Sequence, residues 1–207
     1  MTAGLILAAG ESRRMGTPKA LLRYRGETFL DGLIARFQAR CAPVIVVLGA
    51  AEREVRSGAR RAATFILNEG WESGQTGSMQ CGLRAVPAAA GGVLFTLVDH
   101  PAVKIATIDA LLGSSEPGQP KPDPPPAADA GRGGLLRVPR YRGLNGHPIW
   151  FSSALIGEFL GLGESGAARD IVRAHARETE FIEVDDPGVV ADIDDAAAYH
   201  ALLEAER

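Results

Sequence analysis

The run Leu5-Ile6-Leu7-Ala8-Ala9-Gly10 constrains this chain more than any other stretch. It is an apolar segment with the length of a buried strand, and it breaks at Ala8 to Gly10 into a small-residue turn. Glycine at position 10 predicts a backbone that turns with φ > 0 and lets a ligand come close to the main chain. The loop continues through Ser12, Arg13, Arg14 and Gly16 to Lys19. Consecutive N–H groups beside such cations suit phosphate oxygens. The spacing excludes a Walker A loop, because Lys19 stands three residues after Gly16 and not directly after a glycine. It also excludes a G-x-G-x-x-G dinucleotide fingerprint, and with it a Rossmann dehydrogenase. Only three lysines (Lys19, Lys104 and Lys121) stand among 22 basic residues, so a Lys inside an Arg-rich loop marks a need for a compact point charge.

Apolar runs alternating with helical patterns predict βαβ units and a mainly parallel sheet. Leu30, Leu33, Ile34 and Phe37 lie on one helix face. Val44 to Leu48 reads as a strand buried on both sides. A short helix over 51–60, a strand over 63–67, a helix over 77–86 with Met79, Leu83 and Val86 inward, and a strand over 93–98 follow. Strands are expected at 135–138, 147–151, 181–184 and 189–193, and helices at 167–175 and 196–205. The six prolines and several glycines between Glu116 and Gly134 predict a flexible loop at about 114–134 within one domain spanning 1–207. The expected architecture is a three-layer α/β/α fold.

A chain of 207 residues is large enough for one continuous core. A net charge of −3 argues against a nucleic-acid binder. No apolar run approaches the roughly 20 residues of a membrane span. No signal peptide is visible, so a cytoplasmic protein is expected, with Cys41 and Cys81 as reduced thiols.

The stretch from Leu7 to Lys19 fills every fixed position of L-A-A-G-x-S-x-R-M-G-x-x-K. It resembles the signature of the MobA/MocA-like nucleotidyltransferases, which activate molybdopterin, within the wider group of NTP:sugar-phosphate nucleotidylyltransferases. Four further stretches resemble the same family. Leu97-Val98-Asp99-His100-Pro101 resembles its D-x-P segment, whose Asp binds Mg²⁺. The segment from Asn68 to Ser78 resembles N-x-x-W-x-x-G-x-x-x-S. Asp192-Ile193-Asp194 resembles D-I-D before the last helix, and Tyr141 to Pro148 resembles the stretch that lines the acceptor side. Gly163 to Arg169 departs from G-D-x-G-A-R by a Glu and an extra Ala, which weakens any role carried onto Arg169.

The resemblance implies a nucleotide-diphospho-sugar transferase type of sheet. It also implies transfer of a nucleoside monophosphate from an NTP to a phosphate on a small molecule, with release of pyrophosphate. Arg14, Lys19 and Asp99 are then the catalytic candidates. Leu7, Ala8, Ala9, Gly10, Ser12, Arg14, Lys19, Asn68, Gly74 and Ser78 are the nucleotide-binding candidates. Asp99 and Asp192 are the Mg²⁺ candidates. Gly146, His147 and Asp194 are expected on the acceptor side. If 189–193 is a strand, Asp192 and Asp194 point the same way. Asp194 or Asp195 also suits a helix N-cap. The implied partners are CTP or GTP, molybdopterin or a similar phosphorylated small molecule, and an apo-molybdoenzyme. Pro18 stands where guanine users of the family commonly carry an acidic residue, which favours CTP. The competing functions are a sugar-phosphate nucleotidylyltransferase, a GTP-using guanylyltransferase and a non-catalytic nucleotide-binding maturation factor.

Overall fold

A computed structural model describes residues 1–113, 134–163 and 166–205. The proline-rich stretch, apart from Gly134, lies outside the described residues. The strands are β1 (Thr2–Ala8), β2 (Arg23–Tyr24), β3 (Glu27–Thr28), β4 (Val44–Leu48), β5 (Thr64–Leu67), β6 (Gly92–Leu97), β7 (Leu136–Tyr141), β8 (Leu144–Asn145), β9 (Ile149–Ser152) and β10 (Thr179–Glu183). The helices are α1 (Phe29–Gln38), α2 (Glu52–Gly58), α3 (Gln75–Leu83), α4 (Ile105–Leu112), α5 (Ile156–Leu160), α6 (Ala168–Ala174) and α7 (Ala196–Glu204).

The main sheet has 8 strands in the order β10-β7-β9-β6-β1-β4-β5, with β8 hydrogen-bonded to β7. β1 pairs in parallel with β4 on one side and β6 on the other, so Leu7 faces both Val47 and Leu97 in register. β9 runs antiparallel to β6 and to β7.

Alternation along the strands divides the core into two layers. Ile6, Val46, Leu48 and Leu94 face α1, α4 and α7. Leu5, Leu7, Ile45, Val47, Val93 and Phe95 face α3, α5 and α6. This is the expected three-layer α/β/α architecture, and strands buried on both faces account for the continuous apolar runs.

Helix α1 shows how a local sequence reaches this arrangement. Thr28 caps it by accepting from the Asp31 N–H at 3.0 Å, a contact worth about 1 kcal/mol. Leu30, Leu33, Ile34 and Phe37 are then wholly buried against the sheet, each contributing about 1.5–3 kcal/mol. The buried Asp31 carboxylate also accepts from the Arg60 and Arg61 N–H groups at 2.9 and 3.0 Å, tying α1 to the segment after α2.

The expected strand over 189–193 does not form. Pro187–Val189 is a 3-10 turn and the chain beyond it is irregular. Val189 and Ile193 are nonetheless buried, so burial without pairing produced the strand-like pattern. Gly188 lies against the Ala102 backbone, where a Cβ would sit 2.6 Å from the carbonyl carbon. Helix α3 begins at Gln75, two residues before the expected start, and ends at Leu83.

Candidate active site

The chain leaves β1 toward α1 and β4 on one side, and β6 returns on the other. That reversal at β1 opens a crevice beyond the carboxyl ends of β1 and β6, where parallel α/β sheets hold their ligands. The Lys19 loop follows β1 and Asp99 follows β6, so the topology brings together residues 80 positions apart.

The loop turns at Gly16, the second flexible point of the motif, and at Ser12 in place of Gly10. Ser12 (φ 55°) and Gly16 (φ 65°) adopt the left-handed conformation. Gly10 has no such φ, and a Cβ there would meet nothing within 4 Å. The Ser12 hydroxyl accepts from the Lys19 N–H at 3.0 Å and closes the loop on itself.

Lys19 is only 14% exposed in its side chain, and its Nζ lies 3.4 Å from Asp99 Oδ2 and 2.6 Å from Asp194 Oδ1. The other Asp194 oxygen accepts from Arg14 at 3.0 Å. The Lys19 hydrogen bond, with Arg14 beside it, holds the Asp194 carboxyl below its ordinary range. The main chain fixes the two acidic segments together, because Ile193 N–H donates to the Asp99 carbonyl at 2.9 Å. Asp195 caps α7 through the Ala198 N–H at 2.9 Å, which leaves Asp194 free to face the cleft. Asp99 caps no helix; the α4 start is held by Asp186, which accepts from the Lys104 N–H and the Thr107 hydroxyl, each at 2.7 Å. Asp192 is exposed, and its charge, after that of Asp99, raises the His100 imidazole against the larger lowering by burial.

Asp99 and Asp194 both bring a carboxylate to the Lys19 ammonium. Their hard oxygens suit Mg²⁺ or Mn²⁺. Among the described residues no group of three or more His, Cys, Asp and Glu gathers, so phosphate oxygens would have to complete such a shell.

Lys19, Asp99 and Asp194 line a cleft of about 480 Å³ with Leu7, Ala8, Ala9, Gly10, Ser12 and Arg14. Its opposite wall is the 3-10 turn Trp71–Ser73 with Gly74 and Ser78. Asn68 stands behind this wall, donating to the Ser78 hydroxyl at 3.0 Å and accepting from the Gly70 N–H at 3.1 Å. The end of β4 closes tightly on the loop, since a Cβ on Gly49 would fall 2.5 Å from the Ala9 carbonyl oxygen.

A second cavity of about 580 Å³ adjoins the first. Phe95, Val138, Ile149 and Phe151 form its apolar floor, and Arg169 and Arg173 from α6 line it as well. Gly146 and His147 line this cavity, whereas Asp194 lines the first. Burial, with His100 beside it, pushes the His147 imidazole down to about 3, so the ring is neutral near pH 7. Burial likewise lowers His100, and the two rings lie 4.9 Å apart. Neither is placed as a general base. Gln75, which lines both cavities, and Arg173 stand outside the candidates named from the sequence. The signal for Arg173 was its i,i+4 spacing from Arg169.

A parallel sheet with a cationic loop and facing carboxylates at its switch point defines an α/β nucleotidyltransferase fold. The chain belongs to the family of the MobA-like NTP transferase domain, whose model matches residues 4–179. It is 30% identical over 205 residues to nicotine blue oxidoreductase of Paenarthrobacter nicotinovorans, covering 97% of this chain and 95% of that one. It is 34% identical over 118 residues to a probable molybdenum cofactor guanylyltransferase of Opitutus terrae, covering 56% of this chain and 57% of that one. The crystal structure of Rv0371c from Mycobacterium tuberculosis H37Rv superposes with a TM-score of 0.79 at 30% identity, covering 98% and 97% of the two chains. A further structure of Rv0371c is a complex with manganese. Among the described residues no helix is long and apolar enough to cross a membrane.

Proposed function

We propose that this protein transfers a nucleoside monophosphate from an NTP to the phosphate of molybdopterin and releases pyrophosphate. The observation that carries this reading is Lys19, gripped by Asp99 and Asp194 in a cleft that adjoins a second cavity. The first cleft suits the NTP and the second the acceptor. The acceptor's phosphate oxygen forms a bond to the α-phosphorus, and the bond from that phosphorus to the β-phosphate bridging oxygen breaks. A phosphate monoester has its second pKa near 6, so the nucleophile is already ionised at about pH 7 and needs no general base. Lys19 and Arg14 neutralise charge that grows on the phosphates, and the loop N–H groups orient them. Asp99 and Asp194 would hold Mg²⁺, which supplies charge neutralisation at the phosphate oxygens when bound. The apolar floor and Arg169 with Arg173 suit an acceptor that has a flat body and an anionic group.

Pro18 favours CTP as the donor, whereas the relatives named as guanylyltransferases favour GTP. The test measures pyrophosphate release from each of four NTPs with molybdopterin and with common sugar phosphates under one Mg²⁺ concentration. Release with molybdopterin and a single preferred NTP supports the proposal. Release only with a sugar phosphate changes the acceptor, and no release with any pair overturns catalysis in favour of a nucleotide-binding maturation factor. The relative named nicotine blue oxidoreductase, matched over 95% of its length, makes a redox assay the control.

A further inference from the structure

The two cavities meet at one side chain. Among the described residues, Gln75 is the one that lines both the nucleotide cleft and the second cavity. It is the first residue of α3, directly after Gly74 at φ 106°. Gly74 supplies no side-chain cap, so the first N–H groups of α3 stay available at the positive end of the helix dipole. The neighbouring polar side chains are already engaged. The Thr76 hydroxyl donates to the Gly166 carbonyl at 2.9 Å, and Ser78 accepts from Asn68 at 3.0 Å. The Gln75 amide is exposed and has no hydrogen-bond partner among the described residues.

We propose that Gln75 positions the acceptor phosphate against the α-phosphate of the nucleotide, its amide N–H groups bridging oxygens of the two. This rests on the transferase function proposed above and adds a residue to it. Two phosphates must approach each other for the bond to form, and both are anions. Lys19 and Arg14 belong to the nucleotide cleft, and Arg169 and Arg173 to the second cavity. At the seam, a neutral amide with two N–H donors can hold an oxygen of each phosphate. A carboxylate of nearly the same shape would repel both.

That difference sets the test, which compares wild type with Gln75→Met and Gln75→Glu. The substrates are molybdopterin and whichever of CTP or GTP the wild type turns over. The readouts are kcat, acceptor KM, equilibrium binding of the Mg²⁺–NTP complex and thermal melting. Position 75 is exposed on the first turn, so both variants fold. Glu there complements the helix dipole and makes that protein at least as heat-stable as wild type. Activity should run the other way. Gln75→Met should lower kcat about tenfold or more, Gln75→Glu should lower it further, and Mg²⁺–NTP affinity should stay within about twofold. A purely structural role predicts that activity follows stability. Gln75→Met turning over within about twofold of wild type, or Gln75→Glu surpassing Gln75→Met, overturns the role of Gln75 while leaving the transferase function standing. A wild type that releases no pyrophosphate overturns both.

Discussion

Asp194 holds both loop cations at once, Lys19 at 2.6 Å and Arg14 at 3.0 Å. A triphosphate entering the cleft needs the same two cations, so it must take them from this carboxylate. Asp194→Asn keeps the shape and removes the competing charge. With chelator present, the variant should bind metal-free NTP about tenfold more tightly than wild type, the scale of two partly exposed ion pairs. Turnover with Mg²⁺ should fall, because a carboxylate that suits the metal has gone. Calorimetric titration with and without Mg²⁺ measures both arms. Equal metal-free affinities would mean that Asp194 does not compete with the nucleotide.

The two carboxylates named from the sequence as metal candidates, Asp99 with the stronger claim, stand differently in the structure. Asp99 touches Lys19, while Asp192 is exposed. Asp99→Asn should cut kcat by about 10² or more, and Asp192→Asn should leave it within about twofold. Pyrophosphate release over a Mg²⁺ titration checks this. A large loss in Asp192→Asn that high Mg²⁺ relieves would return Asp192 to the metal site.

Gly49 is needed for closeness. A Cβ there would lie 2.5 Å from the Ala9 carbonyl oxygen and 2.7 Å from the Trp71 Cβ. Gly49→Ala should destabilise the fold by about 1–3 kcal/mol through overpacking and weaken NTP binding, because the loop and the Trp71 wall are pushed apart. Melting and equilibrium binding read the two effects. Wild-type values for both would show that the β4 end accommodates a methyl group without cost.

The sequence revealed the architecture where burial and pairing coincide. β1, β4 and β6 are continuous apolar runs with helices on both sides, and α1 carries its apolar face at the i, i+3, i+4, i+7 spacing. It misled where burial occurs without pairing, as at Val189 and Ile193, which fill the core from an irregular segment. The site residues near the loop could be named from their motif. Their mutual contacts could not, since Lys19 meets Asp194 across 175 positions. Gln75 was invisible for a related reason: what distinguishes it is the wall it shares between two cavities, and no local pattern records that.

His147 gives stability a pH dependence. Its imidazole sits at about 3 in the folded protein against an ordinary 6.5. Between those values the unfolded chain binds more protons, so stability is intact above pH 6.5 and is lost as pH falls toward 3. One such imidazole contributes a slope of about 1.4 kcal/mol per pH unit. His147→Asn should flatten the fall in melting temperature over this range, and His100, also lowered by burial, should leave a residual slope. An unchanged slope in the variant would place the acid sensitivity elsewhere.

The last expectation is that CTP is preferred over GTP. Pro18 precedes Lys19 and lines the nucleotide cleft. A carboxylate at that place would add an acceptor, and proline removes both the charge and a backbone donor. Main-chain groups of Ala8 to Gly10 and the wall from Gly74 to Ser78 can hold a small pyrimidine without that acceptor. When a wrong base leaves buried polar groups unpaired, discrimination can reach about 10⁴. The measurement is kcat/KM for CTP, GTP, ATP and UTP with one acceptor at fixed Mg²⁺. Pro18→Asp should then shift the ratio of the two leading donors toward GTP, since it restores the acceptor. A wild-type preference for GTP would remove Pro18 as a determinant of the base, and the transfer proposed for Lys19 and Asp99 would stand apart from that outcome.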